Sequence, residues 1–410
     1  MREMKDSGIE WIGKIPKEWG IVKFKYLHNG LNTGEAIDKE YWESDAGPNA
    51  FYTAGLTPIR TGYSNFPTWK ETGENDLLLA RNGTPYVYLP VSKAYYTDHI
   101  IRAAMSRHVN RRFIRYCLQQ SIASIVVDSV SIPTWSATLW NNQILTWPSA
   151  IEQERIAAFL DAECAEIDTV LEKTRASIEE YKKLKQAIIT QAVTKGIRGD
   201  RPMKDSGSVW FEEIPCNWVM KRIKYLFHIK KDIAGKEGYT VLSITQRGIQ
   251  PKDLSKNEGQ IAANYSQYQL LAPGDFAMNH MDLLTGWVDI SKYSGVTSPD
   301  YRVFVLDDTE KNDSSYYLYL MQMCYFNRIF YGLGQGVSGM GRWRLQADKF
   351  MNFPVVVPPV DEQKEIVSYL NEKCKQLDTL IRNKQQYLTA IENYKKSLIY
   401  EYVTGKKEVV

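Results

Sequence analysis

The chain has 410 residues, of which 44% are hydrophobic and 24% are charged, with a formal net charge of +3. This length exceeds what one ordinary hydrophobic core supports, so we expect two or more domains. No apolar run approaches the roughly 18 residues that span a bilayer, and we therefore expect a protein that is not embedded in a membrane. The small net charge does not decide nucleic-acid binding, which depends on local clusters.

The N-terminal sequence MREMKDSGIEW lacks the apolar segment of a secretory signal. The five cysteines show neither a pairing pattern nor metal-ligand spacing; they are Cys117, Cys164, Cys216, Cys324 and Cys374. Both features predict a cytoplasmic protein without a metal site.

The segment 4–27 recurs 199 positions later as 203–226, including the motifs MKDSG and KYL in both copies. This repeat predicts a tandem duplication. Four tryptophans belong to it, and we interpret them as packing against neighbouring helix ends rather than stacking on bases: Trp11, Trp19, Trp210 and Trp218.

Two variable blocks follow the repeated segments, at about 29–150 and 228–360, and both mix strand and turn signals. In each block an acidic turn leads into an apolar strand, at Gly73–Arg81 (GENDLLLAR) and Pro273–Asn279 (PGDFAMN). Asp76 and Asp275 are again 199 positions apart. The pattern predicts two domains that kept one fold and changed what that fold recognises.

Each block also contains a cationic stretch without acidic residues, at 99–127 and 314–347. Arginine suits phosphate and the guanine edge because its planar fork makes paired hydrogen bonds. A solvated helix face followed by a flexible loop explains the same residues, and charge alone does not decide. The arginines concerned are Arg102, Arg107, Arg111, Arg112 and Arg115, and then Arg328, Arg342 and Arg344.

A second repeat, with an offset of 210 residues, relates 152–193 to 362–403, and neither copy contains proline or glycine. The apolar spacing predicts two long helices laid together as a coiled coil, with a possible break at 161–168. An isolated amphipathic surface helix is the alternative for each copy. The predicted interface residues are Ile156, Leu160, Ile167, Leu171 and Ile178, with Ile366, Leu370, Leu377, Ile381 and Leu388.

Three pairs of motifs carry a resemblance to a known family. They are IPKEW and IPCNW (15–19, 214–218), PSAIEQERIAAFL and PPVDEQKEIVSYL (148–160, 358–370), and AVTKG and YVTGK (192–196, 402–406). Over nearly its whole length the chain resembles the specificity subunit of Type I restriction-modification systems. Small departures are the single Pro148, where the second copy has two prolines, and Lys195 in place of Gly405.

The resemblance implies an α+β fold, with two mixed α/β target-recognition domains joined by two long antiparallel coiled-coil helices in a pseudo-twofold tandem duplication. The expected recognition domains are 1–150 and 199–360, and the helical spacers are 151–198 and 361–410. Each recognition domain would read one half of a split site in double-stranded DNA. The length of the coil would set the unread gap between the two halves.

The resemblance also implies that two modification (methyltransferase) subunits and restriction (translocase and nuclease) subunits bind this protein. S-adenosylmethionine and ATP with magnesium would belong to those partners, and this chain would bind no cofactor. No phosphate-binding glycine loop is present, and none of the five histidines has catalytic or metal spacing. We therefore expect no catalysis by this chain. The rival interpretations are a coiled-coil protein-interaction adaptor without DNA specificity and a single-chain DNA methyltransferase.

For the DNA contact we expect the loop Asp128–Trp140 in the first block and the glycine-rich loop Gly332–Leu345 in the second. Pairing of Arg342 or Arg344 with Asp348 is the competing interpretation. The predicted DNA-binding residues are Arg81, Arg102, Arg107, Arg111, Arg112, Ser131, Thr134, Trp135 and Ser136, with Asn279, Ser338, Arg342, Trp343 and Arg344.

Overall fold

The structure is a computed structural model. It describes residues 2–42, 47–53, 55, 57–125, 133–253, 264–336 and 343–409. The chain divides into two compact units, each of mixed α/β structure. Unit 1 comprises Met1–Arg175 and Gln386–Val410, and unit 2 comprises Ala176–Gln385. Within the described ranges no helix is long and apolar enough to cross a membrane.

Unit 1 contains a four-stranded antiparallel sheet with two strand pairs and a three-stranded sheet. The four-stranded sheet has the order β4 (His28–Thr33), β10 (Ile100–Met105), β7 (Asp76–Ala80), β8 (Val87–Tyr88). The pairs are β1 (Met4–Asp6) with β2 (Lys14–Pro16) and β3 (Gly20–Lys23) with β11 (Ile144–Trp147). The third sheet has the order β6 (Ile59–Thr61), β5 (Asn49–Tyr52), β9 (Ala94–Tyr96).

The helices of unit 1 follow the sheet in the chain. They are α1 (Arg111–Ala123), α2 (Ala137–Asn141) and the first part of α3 (Ala150–Lys195); residues 386–403, at the end of the last long helix of the chain, also belong to this unit. Every residue of β7 is buried, as the apolar run DLLLA in the centre of a sheet requires. A single core cluster includes Leu77 and Leu79 of β7, Phe113 of α1 and Trp140 of α2. This packing fixes the C-terminal end of β7 relative to α2.

Unit 2 repeats this plan with different peripheral strands. Its four-stranded sheet has the order β15 (Phe227–Lys230), β22 (Arg302–Leu306), β19 (Phe276–Met278), β20 (Val288–Ile290). The strand pairs are β12 (Met203–Asp205) with β13 (Glu213–Pro215), β14 (Val219–Arg222) with β23 (Pro354–Val357), β16 (Leu242–Thr245) with β17 (Gly248–Pro251), and β18 (Gln269–Leu271) with β21 (Gly295–Thr297). Its helices are the second part of α3, then α4 (Ser314–Phe326), α5 (Ile329–Gly332), α6 (Ala347–Asn352) and the first part of α7 (Val360–Val403).

The two acidic turns found in the sequence have the same local structure. Asp76 Oδ2 accepts a hydrogen bond from the Gly73 N–H at 2.7 Å, and Asp275 Oδ2 accepts one from the Ala272 N–H at 2.9 Å. Each carboxylate therefore closes the turn that starts the central strand of its sheet, as the repeat predicts.

The long helices α3 and α7 are continuous, so the break predicted at 161–168 is absent. At 1.5 Å per residue they are roughly 69 Å and 66 Å long. Ser149 and Glu152 form a capping box at the start of α3 through reciprocal side-chain hydrogen bonds to backbone N–H groups. Both helices are followed by a glycine with positive φ, Gly196 at 80° and Gly405 at 69°, as is typical of helix C-caps.

Within each unit, segments of α3 and α7 lie side by side and antiparallel. In unit 1, Lys395 pairs with Asp168 at 2.6 Å, and Arg175 pairs with Glu392 at 2.6 Å. In unit 2, Lys185 pairs with Asp378 and Arg198 with Glu365, both at 2.7 Å. In both units residue numbers rise along one helix while they fall along the other.

The predicted interface residues of the coil are nearly all buried; Leu388 is partly buried. Several of them do more than cover the other helix. Ile156 and Leu160 share a core cluster with Trp19 and Leu145 of unit 1. In unit 2, Ile366 and Leu370 likewise share a cluster with Trp218 and Val355. The N-terminal ends of both helices are therefore anchored in the domain cores.

Candidate nucleic-acid interface

In unit 1 the loop after β7 is joined by hydrogen bonds to the segment before α2. The Trp135 N–H donates to the Arg81 carbonyl at 2.6 Å, and the Gly83 N–H donates to the Pro133 carbonyl at 2.9 Å. Asn82 and Thr134 form an isolated antiparallel bridge between these two contacts. We call Arg81–Gly83 together with Pro133–Ser136 rim 1. It brings Arg81, Thr134, Trp135 and Ser136 together, as expected from the sequence.

The side chains of rim 1 have different tasks. Trp135 is buried and donates its indole N–H to the Gly83 carbonyl at 2.6 Å, so it holds the rim together. The Ser136 hydroxyl accepts from the Leu139 N–H and caps α2. Arg81 is exposed, with only a 3.4 Å contact to the Asp98 carbonyl, and Thr134 is exposed as well. The groups left for a ligand in rim 1 are thus the Arg81 guanidinium and the Thr134 hydroxyl.

Three of the predicted DNA-binding arginines of the first block are engaged inside unit 1. Arg102 donates to the Glu71 carbonyl at 2.6 Å, Arg111 donates to the Asp76 carbonyl at 3.1 Å, and Arg112 pairs with Asp161 at 3.0 Å. Arg112 also pairs with Glu154, and Arg115 pairs with Asp161 at 3.3 Å. Because protein groups occupy these guanidinium groups, we now interpret them as structural, in place of the DNA contacts predicted for Arg102, Arg111 and Arg112.

Arg107 differs from these arginines, because it is exposed and follows the C-terminal end of β10. Arg81 lies beside the N-terminal end of the same strand, since its N–H donates to the His99 carbonyl at 2.9 Å. The six residues of β10 separate the two arginines by roughly 17 Å or more. The structure does not bring Arg107 to rim 1.

In unit 2 the equivalent loops meet in the same way. The Leu345 N–H donates to the His280 carbonyl at 2.9 Å, and Arg344 exchanges backbone hydrogen bonds with Gln335. We call His280–Met281 together with Trp343–Gln346 rim 2. Ser338 and Arg342 lie outside the described residues, as does Ser131 in unit 1.

Two predicted residues beside rim 2 are structural. The Asn279 carboxamide oxygen accepts from the N–H groups of Met281 and Asp282, at 3.2 and 3.3 Å, and so shapes the loop after β19. Trp343 stacks on Tyr331 with ring centroids 5.3 Å apart and donates its indole N–H to the Tyr331 carbonyl. Neither side chain is held toward solvent.

The hydrogen bonds also correct the equivalence expected between the two loops. Each loop contains a tryptophan, Trp135 or Trp343, but the residue that bonds to the strand end in unit 2 is Leu345. Leu345 is 210 positions after Trp135, which is the offset of the helix repeat. Arg344 therefore occupies the position of Thr134, and His280 occupies that of Arg81.

Rim 2 is strongly cationic around a neutral histidine. Arg302 of β22 is buried, donates to the Leu345 carbonyl at 2.8 Å and lies over the Phe350 ring. Burial lowers the pKa of Arg302 to about 10, so its guanidinium remains charged at neutral pH. Burial, with the nearby charges of Arg302 and Arg344, lowers the pKa of His280 to about 4.

Arg344 is exposed, and its Nε lies 2.7 Å from the Met281 sulfur. It forms no ion pair with Asp348 or with another described carboxylate, so the competing interpretation does not apply to Arg344 in this structure. Its charge is available to a ligand, as the Arg81 charge is in rim 1.

Beside rim 2 is a cleft of about 350 Å³. The described residues that line it include Lys231, Gln269, His280, Tyr301 and Arg302, and none of them is a carboxylate. Such a lining offers positive charge and several hydrogen-bonding groups, which suits phosphate oxygens or the edge of a base.

His280 and Arg302 were not among the residues that we predicted from the sequence. The offset of 199 residues relates Arg81 directly to His280 and could have indicated His280. Arg302 gives no such signal, because a charged residue in an apolar strand does not reveal which carbonyl it reaches. Over the described part of the chain, no group of three or more His, Cys, Asp or Glu residues could hold a metal ion.

Comparisons with known proteins show which proteins this chain is similar to. Residues 215–393 match the family model of the Type I restriction modification DNA specificity domain. The chain is 21% identical to the Type I restriction enzyme MjaVIII specificity subunit of Methanocaldococcus jannaschii, with 97% of this chain and 94% of that protein covered. Residues 215–393 thus carry a Type I restriction modification DNA specificity domain, and nearly the whole chain is similar to a Type I specificity subunit.

Two further comparisons agree with this family. The EcoDI specificity subunit of Escherichia coli is 22% identical over 96% of this chain and 90% of that protein. A solved structure described as "Structural basis underlying complex assembly and conformational transition of the type I R-M system" has a TM-score of 0.64 and 14% identity. The match covers 96% of this chain and 99% of that one, and it shows that the two share a fold.

Proposed function

We propose that this chain is a specificity subunit that reads a bipartite site in double-stranded DNA, with one half contacted by rim 1 and the other by rim 2. The observation that carries the proposal is the equivalence of the rims. Both are built by a backbone hydrogen bond between the end of the central strand and the segment before a short helix, yet their side chains differ. A shared frame with different polar groups is what two readers of different sequences require.

Within this proposal the free groups of each rim contact the DNA. Arg81 and Thr134 in rim 1 supply hydrogen-bond donors, and Arg344 with Arg302 surround the polar groups of rim 2 with positive charge. An arginine that reads a guanine contributes roughly 1 to 3 kcal/mol of discrimination, whereas one that binds phosphate strengthens binding to all sequences alike. Measuring Arg344→Ala and Arg342→Ala against specific and scrambled duplexes over a salt series separates the two roles.

The direct test is the methylation pattern of the host with and without this gene. We expect a bipartite methylated motif that disappears when the gene is deleted. An unchanged pattern, together with no salt-sensitive DNA affinity, would favour the protein-interaction adaptor instead. Binding of S-adenosylmethionine by the isolated chain would favour a single-chain methyltransferase.

The long helices serve as the spacer in this proposal. Asp168 and Lys185 recur 210 positions later as Asp378 and Lys395. The ion pairs Lys185–Asp378 in unit 2 and Lys395–Asp168 in unit 1 are therefore related by the repeat. They support an antiparallel coiled coil formed by a pseudo-twofold tandem duplication. Deleting one heptad from both helices shortens each by about 10 Å and should remove about three unread base pairs at roughly 3.4 Å each. An unchanged motif after that deletion would assign the spacing to the recognition domains.

The same duplication supports two equivalent binding sites for a methyltransferase subunit. We propose that this chain is non-catalytic and cytoplasmic and that it positions two such subunits, together with restriction subunits, on the DNA. S-adenosylmethionine and ATP with magnesium then belong to the partners. Mass measurement of the reconstituted complex at saturating methyltransferase should give two copies per chain, and a stable one-to-one complex would contradict this stoichiometry.

A further inference from the structure

His280 occupies in unit 2 the position that Arg81 occupies in unit 1. Arg81 directly follows β7, and His280 is the second residue after β19, which ends at Met278; both therefore lie at the end of the central strand of their sheet. Their carbonyls accept the equivalent hydrogen bonds, from Leu345 at 2.9 Å and from Trp135 at 2.6 Å. The two side chains therefore start from the same place in the same backbone frame, although one is an imidazole and the other a guanidinium.

The fold itself makes no use of the His280 side chain. Its ring makes no hydrogen bond with a described residue, and its Nδ1 is enclosed without a partner. An enclosed polar atom without a partner costs stability, so its retention calls for a separate reason. The other ring nitrogen, Nε2, is left for a ligand.

The surroundings of His280 indicate which ligand fits. The ring lines the cleft together with Lys231, Gln269, Tyr301 and Arg302. Arg302 is held by the Leu345 carbonyl, so its position is set by the same segment that forms rim 2. Gln269 donates its amide N–H groups to the Ser298 and Tyr301 carbonyls and so shapes the wall. Positive charge at the wall attracts a polyanion, while the phenol and imidazole groups can distinguish hydrogen-bond patterns on a base edge.

We propose that His280 is a specificity-determining residue that reads a base edge in the half-site contacted by unit 2. This inference rests on the proposed function and deepens it. The positive charges of Arg302 and Arg344 keep the ring neutral at physiological pH, because they add to the effect of burial on its pKa. A neutral imidazole has one N–H donor and one acceptor, whereas Arg81 has donors only. The two units thus read equivalent positions with different hydrogen-bond patterns.

The test uses the full-length chain, co-expressed and purified with its methyltransferase subunits. The variants are His280→Ala and His280→Asn, and the matched control is His228→Ala. His228 belongs to the same unit, but it is exposed and pairs with Asp307, and in β15 it lies opposite Val305 of β22 rather than Arg302. Each complex is measured on duplexes in which every base pair of the half-site is changed in turn, and the host methylation motif is sequenced in parallel.

We expect both His280 variants to lose about 10- to 100-fold of discrimination at one base pair of one half-site. The other half-site, affinity for scrambled DNA and the salt slope should remain as in the wild type. The control should leave the motif intact. A uniform loss over all sequences with a reduced salt slope would show a phosphate contact and would overturn the inference. Thermal unfolding identifies variants that fail to fold, for which His280→Asn is the milder change.

The outcomes separate this inference from the proposed function. A folded His280→Ala complex that methylates the unchanged motif contradicts the inference but leaves the proposed function intact. A wild-type complex that methylates no bipartite motif contradicts the proposed function itself. The pH dependence between pH 6 and 8 adds an independent readout; the charged and titratable groups around the ring are Arg302, Arg344, Lys231 and Tyr301. Discrimination between bases should be constant over this range. An increase at lower pH would show that a protonated His280 contacts the base, and it would overturn the proposal that the neutral ring does so.

Discussion

The two units solve the same packing problem with different residues, and the difference lies beside the rims. In unit 1, Trp140 donates its indole N–H to the Ala80 carbonyl at 3.1 Å. In unit 2 the residue 210 positions later is Phe350, whose ring lies 4.9 Å from the Arg302 guanidinium. Arg302 faces Met278 in the sheet, where unit 1 pairs Ile101 with Leu79. In unit 2 the Phe350 ring, which has no N–H to donate, packs against the buried Arg302 guanidinium.

The frame around these residues is alike because backbone groups form it. The bonds from Trp135 to Arg81 and from Leu345 to His280 do not depend on which side chains the rim residues have. Side chains that point away from these bonds can therefore change without loss of the frame. This separation is what the proposed recognition of two different sequences by one scaffold requires.

The starts of the long helices provide a second comparison. Glu152 pairs with Arg2 at 2.5 Å and accepts from the Trp19 indole at 3.4 Å, and its side chain is 22% exposed. Glu362 pairs with Arg201 and accepts from the Trp218 indole at 2.9 Å, and its side chain is 3% exposed. Burial opposes ionisation of Glu362, but the bonds from Trp218 and Arg201 lower its pKa overall. The carboxylate at the start of the long helix is thus more buried in unit 2 than in unit 1.

The largest expected effect follows from this difference in burial. Glu362→Gln should lower the free energy of unfolding by about 3 kcal/mol, because it leaves the enclosed Arg201 without a counter-charge. Glu152→Gln should cost only about 1 kcal/mol, since water reaches its partner Arg2. Urea unfolding measures both. The double variant Glu362→Gln, Arg201→Gln should recover part of the loss, and equal effects of the two single variants would contradict the comparison.

The arginines of unit 1 should divide into a DNA-reading and a structural class. Arg81→Ala should reduce discrimination in one half-site about tenfold, because its exposed guanidinium is free to contact a base. Arg112→Ala should leave DNA discrimination unchanged and lower stability by about 1 kcal/mol through the loss of its pairs with Glu154 and Asp161. Duplex binding and urea unfolding of both variants give the two readouts. If a stably folded Arg112→Ala protein lost discrimination between DNA sequences, Arg112 would have to be assigned to the DNA interface.

His280 should make the stability of unit 2 depend on pH. Unit 1 has Arg81 at the equivalent position and should not show this dependence. The pKa of His280 is lowered from 6.5 to about 4, so the unfolded chain takes up the proton first. Stability from this group is complete above pH 6.5 and falls as the pH decreases toward 4. Allowing for the exposed part of the ring, we expect about 1 kcal/mol less stability at pH 5 than at pH 7.5. Thermal unfolding of His280→Gln should not show this loss of stability between pH 7.5 and pH 5. Identical pH profiles of the variant and the wild type would contradict the prediction.

The smallest expected effects concern the reciprocal ion pairs of the helices. Lys185–Asp378 and Lys395–Asp168 are largely exposed, so each should contribute only about 0.3 kcal/mol. Double-mutant cycles with alanine at both positions measure each coupling energy. The two values should agree within error because the geometries match, and a clear inequality would show that the duplicated helices are not energetically equivalent.

Much of the scaffold was predictable because it depends on local pattern and repetition. The absence of proline and glycine predicted both long helices, and their apolar spacing identified residues that are in fact buried. The packing of Trp19 and Trp218 at the helix starts is confirmed by their bonds to Glu152 and Glu362. The possible break at 161–168 is absent, since an irregular stripe does not interrupt backbone hydrogen bonds when the helix is packed along its length.

The candidate site was less predictable, for a different reason. Counting charges showed that the first block is rich in arginine, but not that Arg102, Arg111 and Arg112 bond to Glu71, Asp76 and Asp161. Similarly, matching the loops 128–140 and 332–345 did not reveal that Leu345 makes the hydrogen bond equivalent to that of Trp135. Proximity in the chain does not reveal which partner a long side chain reaches.

The sequence by itself therefore determined that the molecule is a duplicated α/β protein with two long helices, because periodicity and repetition are properties of the chain alone. Only the tertiary structure decided which cations are free and which are paired, and that His280 lies where Arg81 lies in the other unit. Availability for a ligand depends on carbonyls and carboxylates brought in from distant parts of the chain. The pKa of His280, for example, is set by burial and by Arg302 and Arg344, which approach it only in the folded state.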